Sequence, residues 1–311
     1  MIDPFRFGSW VSDAAQTRFR EETGSEPPSP DILELRRYYD GYNARHLSDA
    51  LATDPVRISE RQIGGVLTHV VEPVDGVRDP RKLICLHGGA FMWGSGPGAL
   101  LEAAPVAAVT GMQVFAVDYR LAPEHIFPAA VDDILSVYRE LVAGQNAGEI
   151  GIYGCSAGAV LTAQAVARML HDGLPVPGAI AMLHGAGLDF EGDSAQAALA
   201  LQAAAAVGPS PRFDTLPYFS GVDSRDPLAV PGNHPDLLAS FPPSLLVTAS
   251  RDFAASAVWV MHRKLLAAGV EAECVTFDGL WHAHHMSTVL PESRETFDLL
   301  ARFFRTKLGA A

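Results

Sequence analysis

A chain of 311 residues, 48% of them hydrophobic, is long enough to bury the core of one α/β domain and still carry insertions. Its 36 acidic against 23 basic side chains leave a formal charge of -13, which excludes nucleic acid and anionic membrane surfaces as partners. Three scattered cysteines (Cys85, Cys155, Cys274) make no disulfide framework, no run reaches the ~18 apolar residues that span a bilayer, and no basic-then-apolar leader opens the chain, so a reducing cytoplasm is the expected setting.

In chain order, a proline break at Pro27 to Pro30 precedes a predicted helix from Asp31 to Asp49, and Ile63 to Val71 reads as an antiparallel sheet edge. Lys82 to Leu86 is a buried-strand pattern running into His87-Gly88-Gly89-Ala90-Phe91. Gly94 to Gly98 lacks the Lys-Ser/Thr ending of a phosphate loop and reads as a turn before a helix near Ala103. The strand Gln113 to Val117 leads into Asp118-Tyr119-Arg120-Leu121-Ala122-Pro123-Glu124. Its prolines fix the path of the chain, and Arg120 with Glu124 is expected to brace the preceding glycine loop. A helix near Val131 follows.

The strand Glu149 to Tyr153 turns through Gly154-Cys155-Ser156-Ala157-Gly158 into an Ala- and Leu-rich helix. A serine at such an apex is held in a strained conformation that exposes its Oγ, and the flanking glycines leave room for neighbouring backbone. A further strand lies near Ala179. Residues 188–238 then interrupt the alternation with an Ala-rich helix, Ala195 to Val207, and a Pro-rich stretch. The strand Ser244 to Ser250 ends at Arg251-Asp252, followed by a helix from Ala255 to Ala268. The last strand, Ala272 to Phe277, runs into Asp278-Gly279-Leu280-Trp281-His282-Ala283-His284-His285, and a helix near Phe297 closes the chain. Alternation of this kind predicts a mostly parallel sheet with helices on both faces.

Nucleophilic acyl transfer needs an activated hydroxyl, a base, a carboxylate to orient that base, and donors for the oxygen that becomes negative. Ser156 supplies the first and Asp252, at the carboxyl end of a strand, the third; one of the histidines after the last strand is the base. The amides of Gly88, Gly89 and Ala157 are the candidate oxyanion donors. Phe91, Trp93, Phe213, Phe219 and Trp281 are candidates for the substrate pocket, each equally able to be core. Cys155, beside the apex, reads as a small buried thiol. The spacing of His282, His284 and His285 matches no compact zinc motif, so no metal and no cofactor is expected.

With His87-Gly88-Gly89, Gly154 to Gly158, Asp118 to Glu124 and Phe127-Pro128-Ala129-Ala130 in place, the chain resembles the hormone-sensitive-lipase-like branch of α/β-hydrolase carboxylesterases, from about residue 60 to its end. That resemblance implies the α/β-hydrolase fold and selects His282 over His284 and His285. It implies a helical cap built from residues 1–55 and 188–238 over a catalytic domain of residues 56–187 and 239–311. It also implies short-chain acyl or aryl esters as small-molecule substrates and a homodimer. Two positions depart from the family: Cys155 stands where an acidic residue is usual, and His284 where an apolar aromatic is usual. An amide, formamide or lactone hydrolase of the same fold is the alternative within this chemistry, and a non-catalytic small-molecule receptor the alternative outside it.

Overall fold

The computed structural model describes residues 6–22, 29–201 and 211–309. One eight-stranded sheet has the order β1-β2-β4-β3-β5-β6-β7-β8. The strands are β1 (Val56–Ile63), β2 (Val66–Pro73), β3 (Lys82–Leu86), β4 (Gln113–Val117), β5 (Ile150–Cys155), β6 (Ala179–Leu183), β7 (Ser244–Arg251) and β8 (Ala272–Trp281). From β4 to β8 every neighbouring pair is parallel, whereas β2 is antiparallel to both β1 and β4. The edge read across Ile63 to Val71 is therefore a hairpin. Gly64 and Gly65, both at positive φ, turn the chain there, and Ile63 pairs with Val66.

Successive strand residues point to opposite faces, so a strand buried on both must be apolar throughout. In β3, Leu83 and Cys85 enter one hydrophobic cluster while Ile84 and Leu86 enter the other. The helices, in order, are α1 (Asp13–Glu22), α2 (Ile32–Thr53), α3 (Pro97–Thr110), α4 (Ala129–Ala143), α5 (Ala157–His171), α6 (Asp193–Leu201), α7 (Pro235–Leu238), α8 (Ala255–Ala267) and α9 (Pro291–Lys307). Side chains of α3 and α9 fill the first cluster, and those of α4, α5 and α8 the second. Among the described residues, no helix is long and apolar enough to cross a membrane.

Two segments extend this sandwich. Asp31 caps α2 by accepting the Leu33 and Glu34 amides, and α2 lies along α3. Residues 6–22 pack instead on the β7/β8 end: the Arg251 guanidinium sits 4.0 Å from the Phe7 ring and donates to the Arg6 carbonyl at 2.8 Å. In the same segment Trp10 donates to Asp278 and Ser12 to Glu292. The Ala-rich helix begins at Asp193 and is described to Leu201; the rest of its predicted span to Val207, like Pro27 and Pro28, lies outside the described residues.

Candidate active site

β5 ends at Cys155, and the chain reverses at once into α5. Ser156 occupies the apex with φ 53 and ψ -115, a left-handed conformation that side chains rarely adopt. Tight approach of strand and helix makes it possible. A Cβ on Gly154 would meet Gly158 C at 2.4 Å, and one on Gly158 would meet Leu86 O at 1.8 Å. The serine hydroxyl therefore stands at the carboxyl edge of the sheet, at the mouth of the loop that follows β3.

β7 and β8 deliver their side chains to the same edge. His282 Nε2 lies 2.9 Å from Ser156 Oγ, and His282 Nδ1 lies 2.7 Å from Asp252 Oδ1. Asp252 is fully buried. The Ala254 amide and the Thr248 hydroxyl donate to it, each at 2.8 Å, and His184 Nδ1 lies 2.8 Å from Oδ2. Burial alone would raise this carboxyl, but the neighbouring His282 and His184 outweigh it and hold it well below the usual carboxylate range. Phe253 stacks on His282 with ring centroids 4.3 Å apart and fixes the imidazole plane.

His284 and His285 are buried behind this relay, and burial pushes both well below the ordinary histidine range, so they are neutral. Among the described residues, Asp252 with His184 and His282 is one of two groups whose ligand-type atoms lie within 4.8 Å of one another; Glu102, Cys155 and His285 form the other. Neither is arranged as an open cation site. Asp252 is already hydrogen bonded to both of its histidines, and burial raises the Glu102 carboxyl and the Cys155 thiol toward their protonated forms.

The glycine loop corrects one expectation. The Gly88 amide does not face the serine: it donates to Glu102 Oε1 at 2.7 Å. The amides of Gly89, Ala90 and Ala157 donate to no acceptor among the described residues and are the donors available to an anion beside Ser156. The expected brace is also differently wired. Arg120 pairs with Asp133, while Glu124 pairs with Arg36 of α2, whose guanidinium further donates to the carbonyls of Met92 and Ala122. The hydrogen bond from Arg36 holds the Glu124 carboxyl down to about 2. His87 has a structural place, stacked on Tyr119, whose hydroxyl donates to the His87 carbonyl at 2.6 Å.

A cavity of about 440 Å³ opens onto Ser156 and His282. Trp93 lines it, stacked on Tyr39 of α2 at 4.5 Å, and Phe190, Leu216, Phe253 and Met286 complete an apolar wall. Phe91, Phe219 and Trp281 are not in that wall. Phe91 stacks on Tyr218 and Phe219 on Phe213 inside the core, and Trp281 packs on Phe19 of α1. A large aromatic near a motif is more fully desolvated against other rings than at a cavity mouth.

The family model for the alpha/beta hydrolase fold matches residues 83–286. An acetyl-hydrolase of Streptomyces hygroscopicus is 32% identical over 240 residues, 75% of this chain and 78% of that one. The esterase LipU of Mycobacterium tuberculosis is 29% identical over 251 residues, covering 77% and 82%. The crystal structure of an esterase from the bacterial hormone-sensitive lipase (HSL) family matches with a TM-score of 0.82 at 26% identity, over 96% of this chain and 98% of the other.

Proposed function

The chain belongs to the α/β hydrolase family, in its bacterial hormone-sensitive-lipase-like branch, and is a carboxylic ester hydrolase; from that premise we propose that Ser156, His282 and Asp252 are its catalytic triad. One observation carries the reading: the hydrogen-bonded relay that runs from Ser156 Oγ through both nitrogens of His282 to Asp252. Ser156 Oγ attacks the ester carbonyl carbon as His282 Nε2 takes its proton. Asp252, ionised and sealed from water, keeps the His282 Nδ1 proton in place and offsets the charge of the imidazolium. The tetrahedral oxyanion is held by the amides of Gly89, Ala90 and Ala157. Collapse expels the alcohol, which leaves with the proton from Nε2, and an acyl-serine remains. Water then repeats the sequence, its proton passing to His282, and the carboxylic acid departs.

The apolar cavity favours short-chain acyl or aryl esters, and the acetyl group named for the Streptomyces relative is within that range. Tyr39, Tyr42 and Asn43 of α2, with Pro211 and Leu216, line the cavity opposite the sheet, which supports a cap drawn from residues 1–55 and 188–238. The open edge at β8 supports a homodimer, and the three free cysteines support a cytoplasmic setting. The test is hydrolysis of p-nitrophenyl esters from acetate to palmitate by the parent and by Ser156→Ala. Turnover of the short esters by the parent, with a loss on the order of 10⁶ in the variant, is expected. Undiminished turnover by Ser156→Ala would remove Ser156 from the chemistry, and ester binding without turnover by the parent would favour a receptor.

A further inference from the structure

Glu102 is a carboxyl in the middle of the Ala-rich helix α3, 4% exposed, and its Oε1 accepts the Gly88 amide at 2.7 Å. Gly88 is wedged between this carboxyl and the nucleophile turn: a Cβ there would lie 3.4 Å from Glu102 Oε1 and 3.5 Å from Ser156 Cβ. The contact joins three elements that must keep register for acyl transfer, namely the loop after β3, the turn after β5, and α3. It also removes the first amide of the loop from the oxyanion site, while the Gly89 and Ala90 amides have no partner among the described residues. Resting on the triad reading above, we propose that Glu102 is a positioning residue for ester hydrolysis, its buried carboxyl anchoring Gly88 so that the next two amides face the oxyanion.

The surroundings favour the neutral form. Cys85 faces Glu102 from β3, Tyr153 and Cys155 from β5, Tyr119 from beyond β4, and His285 from the turn after β8; α2 contributes Asn43 and Tyr42 to the same cavity. Burial raises both thiols and the phenols of Tyr119 and Tyr153 and lowers His285, leaving all of them uncharged, and Tyr42 is raised by burial and by Glu22. Among the described residues, the carboxyl accepts the Gly88 amide, and no lysine or arginine hydrogen bond to it is found. Burial pushes Glu102 up to about 8, against the opposing pull of the Gly88 and Cys155 amides. Once ionised, it sets a negative charge under the place where the transition state develops one, which opposes turnover.

The experiment measures kcat and KM for p-nitrophenyl butyrate between about pH 6 and 9.5, with the parent, Glu102→Gln and Glu102→Leu in the full chain. Leucine removes the acceptor and should lower kcat by about 10- to 100-fold with KM nearly unchanged, as for loss of an oxyanion contact. Glutamine keeps an acceptor oxygen but cannot ionise. It should keep kcat within about 3-fold of the parent at neutral pH and abolish the parent's alkaline decline. The rescue by glutamine and the lost limb separate positioning from mere support of the fold. Parental kcat in Glu102→Leu, or an alkaline decline that persists in Glu102→Gln, overturns the proposal; should the leucine variant not fold, the glutamine profile alone decides. A parent inert toward every ester overturns the triad reading and this proposal together.

Discussion

Replacing Gly158 with alanine would place a Cβ 1.8 Å from Leu86 O, 2.6 Å from Leu86 C and 2.8 Å from His87 O. All three are backbone atoms, so no rotamer change relieves the clash. Carbon-to-carbonyl contacts settle at about 3.3–3.6 Å, and the end of β3 must therefore move about 1.5 Å away from the start of α5. The first of these carries the Gly89 and Ala90 amides, the second Ser156 and Ala157. Their separation pulls Ser156 away from two of the three amides proposed to hold the oxyanion. A misplacement of about 1 Å costs about 10² in rate, and overpacking of this kind costs about 1–3 kcal/mol. Gly158→Ala should accordingly fold with a lowered melting temperature and hydrolyse p-nitrophenyl acetate at least about 100-fold more slowly. Circular dichroism and steady-state kinetics on one preparation decide the matter. Parental kcat in a folded variant would show that strand and helix are not held in the contact that the mechanism requires.

Arg36→Met removes the donors to Met92 O, Ala122 O and Glu124. It should lower stability by about 1–3 kcal/mol and raise KM, since α2 then no longer pins the glycine loop; an unchanged urea midpoint with unchanged KM would leave that brace without a role. Glu102→Gln should also change how stability depends on pH. Below the ordinary 4.5, folded and unfolded Glu102 are both protonated, whereas between 4.5 and about 8 only the unfolded carboxyl ionises, so the parent loses stability as pH rises through that window. The variant's advantage should be absent near the lower limit and reach at most about 5 kcal/mol above the upper one. A stability gap that is constant across pH would contradict a buried neutral carboxyl.

Much of the candidate site was legible because the residues that the structure brings together stand where strand patterns end: Ser156 after β5, Asp252 after β7 and His282 after β8. Position relative to a sheet is encoded locally. Partnership across the sheet is not, and so the second histidine on Asp252, His184, went unread, as did Arg36 on a distant helix. Glu102 did leave a trace: one acid in the run Ala99-Leu100-Leu101-Glu102-Ala103-Ala104, on a helix apolar on every side, is an ionisable group that burial keeps from its charged form. The direction of the Gly88 amide follows from that carboxyl and could not be read without it. The pocket aromatics misled for a related reason, since composition tells that Phe91, Phe219 and Trp281 will be buried but not against what. In the fold, the hairpin was missed although Gly64-Gly65 marked its turn, because its first arm, Val56–Ile63, is largely exposed and polar and so carries no buried-strand pattern.

Arg251 immediately precedes Asp252, and its guanidinium packs against Phe7 and Phe19, whose rings meet edge to face near the front of the chain. The amino end and the chemistry are thus mechanically one body, separated by a cation and two rings. A purification tag or a trimmed start that tugs on that contact would show up as sluggish catalysis rather than as poor folding, and could be mistaken for a weak enzyme. Handles are better attached away from the amino end if turnover numbers are to be compared between preparations.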